Sequence, residues 1–297
     1  MINDAHCHFF SDRFLAALSS QRGRSQSVDE ICRELEWDAP GSVEQLTDRW
    51  VRELDACGVS RATLIASVPG DEESVAAAVR RRPDRFVGFF MLDPSAPDAT
   101  ERTRRAITEL GLRGVCLFPA MHHVSLYDER VSRIVDTVAQ VPGIAVFVHC
   151  GALSVGVRRK LGLPSRFRLR LGNPLEVAQL ALSFPRVPFI IPHFGAGLFR
   201  EALMAADQCP NIYFDTSSSN RWIRYQPGLT LAEAFRTALS VAGASRLLFG
   251  TDSSFFPRGW QRAIHEEQKA IVVGAHIGSA EAGAIFSGNF DRLFPRL

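Results

Sequence analysis

The chain has 297 residues, 46% hydrophobic and 22% charged, an ordinary globular balance that argues against a disordered, fibrous or membrane-embedded protein. Lys plus Arg number 34 against 32 Asp plus Glu, so a net charge of +2 gives no field that would gather nucleic acid or an anionic membrane. The opening "MINDAHCHFFSD" has neither a basic n-region nor a continuous apolar h-region, and no long apolar run follows, so a cytoplasmic protein with no membrane partner is expected.

The first element is "INDAHCH" (2–8), an apolar start ending in two histidines. On a strand, residues two apart project from one face, so His6 and His8 are expected to point together. Asp4 falls on the same face by this count, deeper along the strand, where support of the histidines suits it better than ligation. Residues 9–41 are longer than a usual βα loop and carry "SQRGRSQSVDE", so an irregular insertion is expected there, a lid or an oligomer contact. Ser42 with Gln45 then makes a capping box before "VEQLTDRWVRELDAC", which Gly58 stops.

"ATLIAS" (62–67) is the second strand, and the helix "EESVAAAVRRR" after it ends at Pro83. "RFVGFFML" (85–92), "GVCLF" (114–118) and "IAVFVHC" (144–150) continue the series. A second long connection runs from Gly151 to Asn173, with six basic residues and no acidic one. "VPFIIPH" (187–193), "NIYFDTS" (211–217) and "RLLFGTD" (246–252) complete eight runs, and "TLAEAFRTALSVAG" and "SAEAGAIFSGNFDRLF" show apolar residues at helical spacing. Short apolar runs alternating with amphipathic stretches predict repeated β-α units. Eight such units suggest a closed α/β barrel over residues 1–297 as one domain.

His6 and His8 close the first run, His149 the fifth, His193 the sixth and Asp252 the eighth. In a barrel these ends meet at one mouth. Any one histidine at a strand end is more often a capping group than a ligand, yet four of the chain's 8 histidines fall at such ends beside an aspartate. Imidazole nitrogens with one carboxylate are a normal shell for Zn²⁺, with Mn²⁺, Fe²⁺ or Co²⁺ also suited. The six cysteines, at 7, 32, 57, 116, 150 and 209, form no CxxC pair and are expected as reduced thiols. Strand alternation should turn Cys7 and Cys150 away from the histidines beside them.

With "DAHCHFF", "VFVHCGA", "IIPHFGAG", "YFDTSS", "LLFGTDSSF" and "FSGNFDRLF" in order, the chain resembles the amidohydrolase superfamily. More narrowly it resembles the amidohydrolase-2 branch, whose members include metal-dependent hydrolases, lactonases and non-oxidative decarboxylases such as aminocarboxymuconate semialdehyde decarboxylase. The resemblance implies a TIM barrel with His6, His8, His149 and Asp252 as ligands of one divalent metal, most simply zinc, and Asp252 and His193 as the catalytic pair, with His193 as a further ligand the alternative. Binuclear relatives carry a lysine or glutamate at the end of the fourth strand, where this chain has Phe118, so a single ion is implied. A homodimer is implied by resemblance only.

Aromatic and basic residues crowd the loops after the strand ends. Arg221, Trp222, Arg168, Phe194 and Phe255 are expected to bind substrate, because arginine clamps a carboxylate and aromatic walls suit a small ring-bearing or unsaturated acid. Asp215 ends the seventh run, where it can orient a ligand or cap the next turn, and His122 and His123 follow the fourth. Hydrolysis of a small amide, ester or lactone by water activated at the ion is the first reading, with Asp252 taking the proton and His193 serving the leaving group. Non-oxidative decarboxylation of an aromatic or unsaturated carboxylic acid is the alternative. A TatD-like nuclease shares the opening D-x-H-x-H but needs an acidic bridge and a phosphate-binding surface, and a non-catalytic binding protein would not need the intact ligand set.

Overall fold

The computed structural model describes residues 1–23, 26–275 and 277–296. Strand and helix alternate as the hydrophobic runs require. The first part holds β1 (Asn3–Phe9), α1 (Asp12–Gln21), α2 (Val28–Leu35), α3 (Val43–Ala56), β2 (Arg61–Ala66), α4 (Glu72–Arg81), β3 (Phe86–Leu92) and α5 (Ala99–Thr108). There follow β4 (Gly114–Leu117), α6 (Pro119–His122), α7 (Glu129–Ala139), β5 (Ala145–Val148), α8 (Gly156–Lys160), α9 (Pro174–Ser183), β6 (Phe189–Pro192) and α10 (Phe199–Gln208). The last part holds β7 (Ile212–Asp215), α11 (Leu231–Ala242), β8 (Leu247–Leu248), α12 (Arg262–Gly274), α13 (Ser279–Gly283) and α14 (Asn289–Leu293).

The eight strands pair in parallel in chain order, β1 to β8. Only two residues of the last run join the ladder with β7, but the backbone beyond them closes the barrel onto β1. Ala5 N bonds Phe249 O at 2.8 Å, Asp252 N bonds His6 O at 2.9 Å and His8 N bonds Ser253 O at 2.7 Å. These bonds bring the eighth-run aspartate beside the first-strand histidines.

Two apolar layers flank the strands. Ile65, Phe89, Cys116, Phe147 and Ile190 fill the barrel interior, and Phe290 and Phe294 close its base. Arg61, at the start of β2, fastens that base by bonding Asp291 at 2.6 Å and the Phe294 carbonyl at 2.8 Å. Trp50, Leu64, Phe90, Val146 and Phe214 belong to the layer between strands and helices. Each fully buried side chain of this size contributes about 1.5–3 kcal/mol relative to exposure.

β1 contains an irregularity that sets the faces. Asp4 pairs with Ala62 but Cys7 pairs with Leu64, so the first strand takes one residue more than the second over this interval. The bulge reverses the parity of the strand. Ala5 lies in the barrel interior, whereas Cys7 and Phe9 pack toward the helices, leaving His6 and His8 turned inward. Asp4 therefore does not share their face as simple alternation predicted; its Oδ2 accepts from Trp260 Nε1 at 2.7 Å in the outer layer. All six cysteines are free, with Cys7 and Cys150 fully buried.

Residues 9–41, expected to be irregular, hold two capped helices. Ser11 caps α1 and Ser27 with Glu30 forms a capping box on α2. Phe14, Leu15 and Leu18 of α1 and Ile31 and Leu35 of α2 pack with Val157, Leu161 and Leu163 of the long connection after β5. The two long connections thus share one small core at the barrel mouth. Among the described residues, no helix is long and apolar enough to cross a membrane.

Candidate metal centre

His6 Nε2 lies 3.2 Å from His8 Nε2 and 3.6 Å from Asp252 Oδ1, and His8 Nε2 lies 3.1 Å from the same oxygen. Among the described residues, these three form the one group of metal-type donors whose atoms all fall within 4.8 Å of one another. The remaining nitrogens fix the ring orientations. His6 Nδ1 sits 2.6 Å from Asp215 Oδ2, and His8 Nδ1 sits 2.7 Å from Ser67 Oγ, whose hydroxyl donates to the Ile65 carbonyl at 3.0 Å. Both Nδ1 atoms must therefore carry a proton, and with each ring neutral both Nε2 atoms present lone pairs toward a carboxylate.

Three acceptors facing one another require a positive charge between them. Burial pulls the His6 imidazole down, but the carboxylate of Asp215, helped by Asp252 and Asp4, outweighs it and lifts His6 to about 9. Burial holds His8 below its ordinary value and His149 well below it. Asp252 resists the upward pull of burial because the imidazoles of His8, His6 and His193 surround it, and its carboxyl stays well under the usual range. A proton on His6 satisfies one edge of this triangle, whereas a divalent cation satisfies all three donors at once.

His149 does not join the triangle. Its ring lies 5.4 Å from that of His193 and stacks on Phe118 at 5.4 Å, and its buried Nδ1 has no hydrogen-bond partner. A buried, neutral and unpartnered imidazole on the wall of the cavity fits a further ligand to the same ion. Phe118, at the end of β4, lines the cavity and supplies no donor for a second metal.

His193 follows β6 at φ 55°, and Phe194 and Ala196 take φ 51° and 45°. Non-glycine residues rarely adopt this left-handed turn. Phe194 offsets its cost by burying a ring fully against Phe199, Phe214 and Phe235. His193 Nδ1 donates to the Ser217 carbonyl at 3.1 Å, so Nε2 is the unprotonated atom of a ring that burial keeps neutral. Ser217 Oγ stands 3.0 Å from both His6 Nδ1 and His193 Nδ1.

The cavity above these groups has a volume of about 270 Å³. One wall is a continuous stack. Phe14 lies on Phe10 at 4.0 Å, Phe10 on Trp37 at 5.6 Å, Trp37 on Phe255 at 4.2 Å, and the Arg258 guanidinium caps Phe255 at 4.4 Å. Of the five residues expected to bind substrate, only Phe255 lines this cavity. Phe194 is core, and Trp222 is buried against Phe199 with its Nε1 bonded to Asn220. Arg168 and Arg221 are exposed and line no part of it. The cationic place beside Asp252 belongs to Arg258, which bonds Ser254 Oγ at 2.7 Å.

Ser67, Ser217 and Trp37 were not singled out from the sequence. Ser67 does end the second run and Ser217 the seventh, a position that marks the mouth. Trp37 carries no comparable signal, since it lies in the segment expected to be irregular. Asp215 serves both roles considered for it, orienting His6 and accepting from Ser217 N at 2.8 Å.

The amidohydrolase family model matches residues 4–296 of the chain. The 2-keto-4-carboxy-3-hexenedioate hydratase of Sphingobium sp. (strain NBRC 103272 / SYK-6) is 24% identical over 249 residues, covering 75% of this chain and 70% of the hydratase. The 5-carboxyvanillate decarboxylase of Novosphingobium aromaticivorans, complexed with manganese and 4-hydroxy-3-methoxy-5-nitrobenzoic acid, superposes with a TM-score of 0.67 at 15% identity, covering 99% and 96% of the two chains. A probable 2-pyrone-4,6-dicarboxylic acid hydrolase of Acinetobacter baumannii, with citric acid bound, gives 0.61 at 14% identity over 99% and 98%.

Proposed function

Because the chain belongs to the amidohydrolase family, we propose that it is a metal-dependent hydrolase acting on a small amide, ester or lactone of a ring-bearing or unsaturated carboxylic acid. The observation that carries this reading is the triangle of His6 Nε2, His8 Nε2 and Asp252 Oδ1, three lone-pair donors held in place by Asp215 and Ser67. His6, His8 and Asp252 would hold one divalent ion, with His149 as a further ligand; zinc or manganese suits the set. Such an ion lowers the pKa of water toward neutrality and polarises a carbonyl or carboxylate oxygen.

The chain's own groups supply the rest. His193 Nε2, unprotonated because Nδ1 is committed to the Ser217 carbonyl, takes the proton of the attacking water and returns it to the leaving group. Asp252, held ionised, serves better as ligand than as the proton acceptor first assigned to it. The stacked wall of Phe10, Trp37 and Phe255 accepts a planar ligand, and the Arg258 guanidinium places a positive charge for a carboxylate in the lining of the same cavity.

That placement of Arg258 also favours a second reading, decarboxylation of a ring-bearing acid, since it sets a carboxylate clamp next to the metal ligands. The probable hydrolase and the decarboxylase among the similar proteins are named for one reaction each, and the names of all three relatives, the hydratase included, support an acid of this kind. Release of CO₂ without uptake of water separates the two.

The test of the centre itself is metal content per chain by plasma mass spectrometry, on the native protein and on a His6→Ala, His8→Ala double variant. About one equivalent of a transition metal, lost in the variant, supports the proposal. No metal in either protein after reconstitution overturns it.

A further inference from the structure

Beside the metal cavity lies a larger cleft of about 580 Å³. The two adjoin, sharing Phe14, Ser67, Met91, Met121, Val155 and Val157 in their walls. At about 270 Å³ the metal cavity falls just below the usual size of a small-molecule site, and a ligand longer than a single ring must extend into the cleft.

Arg158 and Arg166 make the far wall of the cleft cationic, beside His122 and His123 and against Asp93 as the single acid among its lining residues. Arg158 bonds only neutral acceptors, Gln21 Oε1 and the Pro164 carbonyl, and its buried Nε has no partner. His122 presents a second buried, unpartnered nitrogen, Nδ1, at the end of α6. His123 Nε2 lies 2.6 Å from the Arg166 carbonyl and ties the two loops that form this wall. Burial lowers the Arg158 guanidinium, the expected response of a partly buried cation without a counter-charge. An anion entering the cleft supplies that charge.

We propose that this cleft is a carboxylate subsite and that the substrate is a diacid, with one end at His6, His8 and Asp252 and a remote carboxylate held by Arg158 and Arg166. The inference rests on the reading of the metal centre as a site for a small carboxylic acid. It adds a specificity that the centre alone does not have: a monoacid occupies the metal cavity, and the second carboxylate selects among acids by length.

Isothermal titration calorimetry on the metal-loaded protein tests it, with benzoate and cinnamate as monoacids and terephthalate and 4-carboxycinnamate as their diacid counterparts. At least one diacid should bind tenfold or more tightly than its monoacid. Arg158→Gln and Arg166→Ala, made separately because the first also loosens the Pro164 contact, should each erase most of that gain and leave monoacid affinity within about twofold. Equal binding of monoacids and diacids, or variants that weaken both alike, overturns the subsite while the reading of the centre stands. Failure of every acid to bind removes both.

Discussion

Asp215 Oδ2 stands 2.6 Å from His6 Nδ1, so the end of β7 holds a histidine that belongs to β1. A buried carboxylate in this place fixes the tautomer and makes Nε2 a stronger donor. Asp215→Asn keeps the shape and removes the charge. Metal affinity should fall by about 10–100-fold, as read by competition with a chromogenic chelator. Undiminished affinity would mean that the triangle orients itself without this contact.

Metal binding should release protons in a defined range of pH. In the metal-free protein His6 holds a proton up to about 9, whereas His8 lies below its ordinary value and Asp252 is ionised. The ion displaces the His6 proton, so near pH 7.5 about one proton should leave per ion bound, and apparent affinity should rise about tenfold per pH unit until it levels above about pH 9. Calorimetry in buffers of different ionisation enthalpy counts the protons. A count near zero at pH 7.5 contradicts the assignment of His6.

Gly250 lies where a side chain cannot. A Cβ there would stand 2.7 Å from Asp215 Oδ1, 2.9 Å from Ser217 Cβ and 3.1 Å from His6 Cβ. Gly250→Ala should cost about 1–3 kcal/mol of stability by overpacking and should also lower metal occupancy, because the displaced groups are those that hold His6. Thermal melting together with metal content of the purified variant checks both effects; a fall in stability at full occupancy would confine Gly250 to packing.

Asp4 fastens the barrel where β1 meets the chain beyond β8. It accepts from His6 N at 2.9 Å, Thr251 N at 3.1 Å and Trp260 Nε1 at 2.7 Å. Asp4→Ala strands these donors, at about 1–3 kcal/mol for each that finds no water, and should lower the melting temperature more than Asp4→Asn does. Equal melting of the two variants would show that the contacts are dispensable.

Most of the strand pattern was legible because hydrophobic periodicity is local. The runs ending in His149, His193 and Asp252 fall on β5, β6 and the backbone after β8, and the Ser42 and Gln45 capping box starts α3 as read. Helical order in residues 9–41 was obscured by the polar stretch between α1 and α2, which reads as loop when no partner surface is in view. The substrate residues were least legible. Arg168, Arg221, Trp222 and Phe194 stand near the strand-end histidines and the following loops in sequence, but a loop can fold its side chains to solvent, to core or to the mouth, and sequence distance does not choose among these.

By itself the sequence determined the eight-unit barrel and the histidines and aspartate at its mouth, since strand ends follow from where apolar runs stop. Only the tertiary structure decided which face of β1 those histidines occupy. The bulge between Asp4 and Cys7 arises where β1 is hydrogen-bonded to β2 on one side and to the backbone beyond β8 on the other. The same closure brought Asp215 to His6 and Ser67 to His8, because contacts between residues 209 and 59 positions apart follow from the barrel's geometry and leave no periodic trace in the chain.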